Sequence, residues 1–224
     1  MTPVVPIRGS LPGIIRNDGG LYRGDLVEYF QIIFNRAQNL QHPYHNFRHM
    51  FHVMVMCYQA CEYYRDLLMS WEMRNLLIAA MFHDFDHSGM MGDDDINIAR
   101  AVRGLEKHIL FEDRGELHNI RNMIKATEFP YAVPSEELIL PYQIIRDADM
   151  SQSLSVAWIQ QVVFGLAKEW NKSPLEVLQG QLGFTKQIKF HTAWGQESFP
   201  QNALNEKIHE IEELLALLET PVSV

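Results

Sequence analysis

The sequence predicts an all-α protein built as one compact domain, on three observations. From Asp25 onward, apolar residues recur at the helical period. No stretch alternates apolar and polar residues with β-branched enrichment for long. A chain of 224 residues, 47% hydrophobic and without repeats, linkers or low-complexity segments, suits a single core.

The elements follow in order. Residues 1–22, with Pro3, Pro6, Pro12, Gly13, Gly19 and Gly20, read as an extended arm, leaving 23–224 as the domain. Leu26, Tyr29, Phe30, Ile33 and Phe34 form the first helical stripe. The next helix is expected to start near Tyr44 behind Pro43, with Val53, Met54, Cys57, Ala60 and Cys61 inward. Ser70 reads as the N-cap of a helix through Leu76, Leu77, Ala80 and Met81. A short loop from Ser88 to Asp95 carries Gly89, Gly92 and three aspartates, which read as a solvated cap of the following helix. Further helices are expected at about 96–108, 113–127, 135–147, 151–171, 174–190 and 202–219. The last is amphipathic and offers either a homodimer interface or, more commonly, closure of the core.

Bulk properties exclude some classes. A net charge of −9 disfavours nucleic acid and anionic membranes, both of which want a basic surface. The longest strongly apolar run, Leu76 to Phe82, is far shorter than a bilayer core of about 30 Å requires. The N-terminus has no apolar signal-peptide region. Two cysteines, Cys57 and Cys61, fit a reducing, cytosolic setting without a disulfide framework.

The chemistry-bearing residues are clustered. Four of the ten histidines, His42, His45, His49 and His52, are spaced so that a helix would gather them on one face. His83-Asp84-Phe85-Asp86-His87 ends an apolar helix, and Asp147 and Asp149 lie farther on. Imidazole suits zinc or another first-row ion, and carboxylates add charge and can bridge to a harder second ion. His83 and Asp84 can converge on one centre if the helix stops there and the chain turns; one His and one Asp from other helices would complete the set. Outside that pattern a histidine is more often structural: His42 reads as a loop residue and His52 as a residue that packs or supports the ligands from behind. Met50, Met54 and Met56 read as core filler.

Here the chain resembles the HD metal phosphohydrolases, and more specifically the catalytic domain of the class I 3′,5′-cyclic-nucleotide phosphodiesterases. Tyr44-His45-Asn46-Phe47-Arg48-His49 is similar to YHNxxH, and His83 to Gly89 to HDxDHxG. Leu105-Glu106-Lys107-His108 resembles LENHH, Ala126-Thr127-Glu128 resembles ATD, Ala148-Asp149-Met150-Ser151 resembles ADLS, and Gln181-Leu182-Gly183-Phe184 resembles QxGF. The resemblance runs in family order over roughly residues 44–195.

It implies an HD-type fold and a two-metal hydrolysis of a 3′,5′-cyclic nucleotide to the 5′-monophosphate. His49, His83, Asp84 and Asp149 would hold the tighter ion, Zn²⁺ or else Fe²⁺ or Mn²⁺. Asp84 would bridge to a second ion, Mg²⁺ or Mn²⁺, and a bridging hydroxide would attack. His45 would act as general acid toward the ribose oxygen. His87, Glu106 and Thr127 would order the ligands and their waters. Tyr44, Gln181 and Phe184 would contact the substrate, Gln181 by its amide and Phe184 by stacking. Departures from the pattern, namely Glu128 for Asp, Gln152 for Asn, Ile109 for His and a shorter loop after His87, bear on which substrate is cut. The alternatives are a nucleotidase or guanosine-tetraphosphate-like pyrophosphohydrolase of the same fold, and a non-catalytic nucleotide-binding module. The latter predicts loss of a ligand or of the proton donor, and none is lost.

Overall fold

The computed structural model describes residues 11–219 apart from Asp93, and among these it contains helices and turns but no strand. Of the expected arm, residues 1–10 lie outside the described residues. Gly13–Arg16 form a helical turn, α1, and Ile15, Leu21 and Tyr22 are buried in the main core.

Helix α2 spans Val27–Arg36 and opens with Asp25 Oδ1 accepting from the Val27 amide at 3.0 Å. Leu26, Tyr29 and Ile33 face inward, while Phe34 is half exposed at 50%. Helix α3 runs Phe47–Tyr63, three residues later than Tyr44, because the Asn46 side chain accepts from the amides of Arg48 and His49 and fixes the start. Tyr44 and His45 therefore sit in the loop before the helix, free to face a cavity.

Helix α4, Ser70–Phe82, is the buried axis of the molecule: every residue from Met73 to Phe82 is buried. Such an all-round apolar helix requires cover on all sides, which α2, α3, α6 and α7 supply. The expected cap, Ser70, is its first residue; the Glu72 carboxylate closes the turn by accepting from the Met69 amide at 2.8 Å. Near its start the Arg74 guanidinium forms a buried two-pronged pair with Asp113, at 2.7 and 2.8 Å.

The chain turns directly after Phe82. The Phe85 amide bonds to the Phe82 carbonyl and that of His87 to Asp84, and Asp86 takes a left-handed φ of 60°. Helix α5, Asp94–His108, returns along the core, followed by a 3₁₀ turn at Phe111–Glu116 and α6, Leu117–Ala126. Helix α7, Leu140–Met150, begins after a short turn with Pro141 in its first positions.

The expected continuous helix over 151–171 is broken into a 3₁₀ turn at Ser151–Leu154, a π turn at Ile159–Val163 and α8, Phe164–Glu169. Helix α9, Pro174–Thr185, carries a capping box between Ser173 and Glu176. Helices α10, Ala193–Ser198, and α11, Gln201–Glu219, close the chain, and α11 packs on α9 with Leu204 and Ile211 buried. A second apolar cluster around Trp158, Val163, Leu166, Val177 and Ile211 stands beside the main core, and a deep pocket lies between the two. Among the described residues no helix is long and apolar enough to cross a membrane.

Candidate metal centre and the pocket around it

Three helix ends meet at the pocket floor. The first turn of α3 supplies His49, the turn after α4 supplies His83 and Asp84, and the end of α7 supplies Asp149. His49 Nε2 lies 3.2 Å from His83 Nε2, 3.2 Å from Asp149 Oδ1 and 3.3 Å from Asp84 Oδ2. His83 Nε2 is 3.5 Å from Asp84 Oδ2 and 3.8 Å from Asp149 Oδ1. The structure thus brings all four expected ligands to one point. Asp147, two residues from Asp149, is buried elsewhere and holds the amides of His191 and Thr192 and the Thr192 hydroxyl.

The donor set fits a cation. Asp84 Oδ2 is buried with no hydrogen-bond partner among the described residues, an arrangement that costs on the order of 1–3 kcal/mol or more for a charged group left unsatisfied. Burial would raise the Asp84 pKa, but the imidazoles of His83, His87, His45 and His49 outweigh it and hold the carboxyl well below the usual range. At His49, burial would depress the pKa; the hydrogen bond to Asp149 and the charges of Asp84 and Asp149 win and push it up to about 9. A cation entering here takes the place of that proton.

Both histidines are aimed from behind. His83 Nδ1 donates to the Ala80 carbonyl at 2.8 Å, and His49 Nδ1 donates to Gln152 Oε1 at 2.5 Å. Each bond leaves Nε2 for the centre. Gln152 is buried and tied in turn to Gln161, so its departure from the family's Asn falls on the support of His49.

Above the floor, the pocket has a volume of about 520 Å³. His45 lines it with Nδ1 paired to Glu169 Oε1 at 2.5 Å, and the other Glu169 oxygen accepts from the amides of Tyr44 and His45. Burial would raise the Glu169 pKa, but the His45 bond and charge together with these amides lower it. Glu169 thus anchors the loop that carries His45 and leaves His45 Nε2 to the pocket. The His87 ring stacks on that of His45, centroids 3.7 Å apart, and burial above all pushes its pKa down to about 4. His42 joins His87 and Glu169 in a second grouping whose ligand atoms lie within 4.8 Å of one another.

The remaining expected residues divide. Tyr44, Thr127, Gln181 and Phe184 line the pocket; the Gln181 amide makes no hydrogen bond to another described residue, and Phe184 meets Phe129 edge-on at 5.6 Å. Thr127 donates to the Ile124 carbonyl at 2.8 Å. Glu106 does not face the pocket. It is exposed on α5 and pairs loosely with Arg121 at 3.7 Å. Asp94, at the start of α5, occupies the wall instead: it is half-buried, accepts from the Phe129 amide, and burial above all pushes its pKa up to about 6, with Asp149 and Asp84 adding to the rise. Sequence reading missed the place of Asp94 in the pocket, Glu169 and the bond from Gln152; Asp94 had a signal, as the middle of the acidic triplet that follows Gly92.

Comparison with known proteins finds likeness in one segment of sequence and in the fold. Residues 44–103 match the family model for 3′5′-cyclic nucleotide phosphodiesterases, a segment that contains His45, His49, His83, Asp84 and Asp94. No curated protein matches the chain. Among solved structures, that of LmjPDEB1 in complex with IBMX superposes with a TM-score of 0.59 at 17% identity, covering 85% of this chain and 79% of that one. In its fold, and in residues 44–103, the chain resembles the catalytic domain of class I cyclic-nucleotide phosphodiesterases, a resemblance that supports a metal-dependent phosphodiesterase.

Proposed function

We propose that the protein hydrolyses a 3′,5′-cyclic nucleotide to the 5′-monophosphate with the help of two divalent ions. The observation that carries this reading is the convergence of His49, His83, Asp84 and Asp149 beneath a pocket that also presents an anchored histidine, with one buried Asp84 oxygen left unpartnered. His49, His83, Asp84 and Asp149 would hold the tighter ion, Zn²⁺ or Fe²⁺ or Mn²⁺, and Asp84 would share a second, Mg²⁺ or Mn²⁺. Bound there, such ions would activate water as the nucleophile and neutralise the phosphoryl oxygens.

The protein's own groups do the rest. Glu169 holds His45 by Nδ1, so that Nε2 can pass a proton to the departing ribose oxygen. His87, stacked on His45 and accepting from the Gly89 amide, keeps that ring in place. Gln181 offers an amide to the base edge, and Phe184, one turn along α9, offers its ring. Lys172 is the one Lys or Arg among the described residues lining the pocket, which suits a singly charged phosphodiester better than a terminal phosphate. A cytosolic setting, in which the free and buried Cys57 and Cys61 stay reduced, and a homodimer through α11 complete the reading.

The test is product analysis. Protein loaded with Mn²⁺ or Mg²⁺ is offered cyclic AMP, cyclic GMP, 2′,3′-cyclic nucleotides, nucleoside monophosphates and guanosine tetraphosphate, with Asp84→Ala as blank. A 5′-monophosphate from a 3′,5′-cyclic substrate is the expected result. Release of phosphate or pyrophosphate from the other substrates, with cyclic nucleotides untouched, would sink the reading in favour of a nucleotidase or pyrophosphohydrolase.

A further inference from the structure

A second cavity, of about 500 Å³, opens on the opposite side of the His83–His87 turn, between the end of α2 and the outer face of α5. Arg36 lines one wall; Arg100, Arg103 and Lys107 line the other. The floor is Phe85, packed closely against Gly104, and the rim includes His108.

Two features make this cavity unusual on a chain of net charge −9. First, none of the four cationic side chains has a carboxylate of another described residue within ion-pair distance. Asp86 also lines the cavity, but its Oδ1 accepts from the Gln38 amide at 2.8 Å. Second, Arg100, Arg103 and Lys107 follow one another at three- and four-residue spacing on a single helix face, where like charges repel. The helix C-termini account for Arg36 and Lys107, which lie in last turns and soften the dipole. Arg100 and Arg103 lie in earlier turns and have no such account. Burial above all lowers the His108 pKa, with Lys107 and Arg36 adding to the fall and Asp86 opposing it.

We propose that this cavity binds a small phosphate-bearing anion. Guanidinium forks from two sides can grip phosphate oxygens in pairs, and the ligand would relieve the repulsion along α5. A polymeric anion is disfavoured by the acidic remainder of the surface. The site also touches the catalytic turn. Fully buried Asn39 donates to the carbonyls of His45 and Asp84 and accepts from the Asp86 amide, so one side chain ties the cavity wall to the proton donor and the metal ligands.

Metal-loaded protein is titrated with inorganic phosphate and, separately, with a nucleoside 5′-monophosphate, following heat of binding and thermal midpoint. The double variant Arg100→Gln/Arg103→Gln and the variant Asp84→Ala are run in parallel. Wild type and Asp84→Ala should both bind phosphate. The double variant should bind about tenfold more weakly or worse, while keeping its turnover of cyclic nucleotide in phosphate-free buffer. If the nucleotide binds these arginines more tightly than phosphate, the ligand is a nucleotide; if not, it is free phosphate. Unchanged binding by the double variant overturns the proposal. So does loss of all binding in Asp84→Ala, which would put the anion at the metal centre alone, and so does a response to heparin without one to either small anion. Should the double variant fail to fold, Arg36→Gln on the opposite wall must weaken the same binding, and unchanged binding there overturns the proposal equally.

Discussion

Two cavities share one turn of chain and differ in sign. On the inner side, Asp84, Asp94, Asp149 and Glu176 line a pocket in which Lys172 is the one Lys or Arg among the described residues; on the outer side, Arg36, Arg100, Arg103 and Lys107 face Asp86. The inner surface is arranged for cations and, through them, for a phosphodiester. The outer surface is arranged to meet anions directly. The five residues His83 to His87 serve both, since His83, Asp84 and His87 line the inner pocket while Phe85 and Asp86 line the outer cavity. Charge of either sign is tolerated in an acidic protein when geometry confines it to one face.

The largest expected effects come from breaking the inner face. Asp84→Ala should reduce turnover to the buffer blank and strip bound metal, measured by elemental analysis; a variant that keeps its metal would refute the shared-ligand role. His45→Ala should slow the chemical step by about 10² to 10⁴ while metal content stays at the wild-type level. Glu169→Gln, which loosens His45 without removing it, should cost about 10- to 100-fold in kcat, and full activity would show that Glu169 does not position the ring.

The placement of residues was legible in the sequence where the signal was local and not where it was long-range. His49, His83, Asp84 and Asp149 were legible because each sits in a short motif of distinctive composition, and the helices around them because their apolar period is long. Glu169 meets His45 across 124 residues, from the end of a segment whose 3₁₀ and π turns replace the continuous helix that periodicity suggested. Glu106 was misplaced for a geometric reason. The loop after His87 is short, so α5 starts at Asp94, and at about 1.5 Å per residue Glu106 lies roughly 18 Å farther along the axis. Asp94 is left facing the pocket in its stead.

Breaking the link between the faces should cost less activity but more stability. Asn39→Leu removes three partly buried hydrogen bonds and leaves the His45 and Asp84 carbonyls and the Asp86 amide without that partner, a loss of about 2–4 kcal/mol by denaturant titration. A loss below about 0.5 kcal/mol would argue that water replaces the side chain there.

The smallest effect sharpens the comparison through pH. The Asp94 pKa is raised to about 6 from an ordinary 3.8, so the folded state favours its neutral form. Its stabilising contribution is complete below about pH 4 and is lost as pH rises through about 6. In metal-free protein, Asp94→Asn, which keeps an acceptor for the Phe129 amide, should therefore add about 1 kcal/mol at pH 8, after allowing for solvent screening, and nothing at pH 4. In metal-loaded protein the same change should weaken uptake of the second ion; equal gains at both pH values would show that the carboxylate is not what matters.

Gly104 has a consequence for genetics. A methyl group placed there would stand 2.3 Å from the ring of Phe85, the residue between Asp84 and Asp86, with no room for either to yield without moving the turn. Position 104 does not line the metal-bearing pocket, yet a single alanine codon there should give a conditional allele, active at low temperature and silent at high. Its suppressors should map to position 85, where a smaller side chain restores the fit.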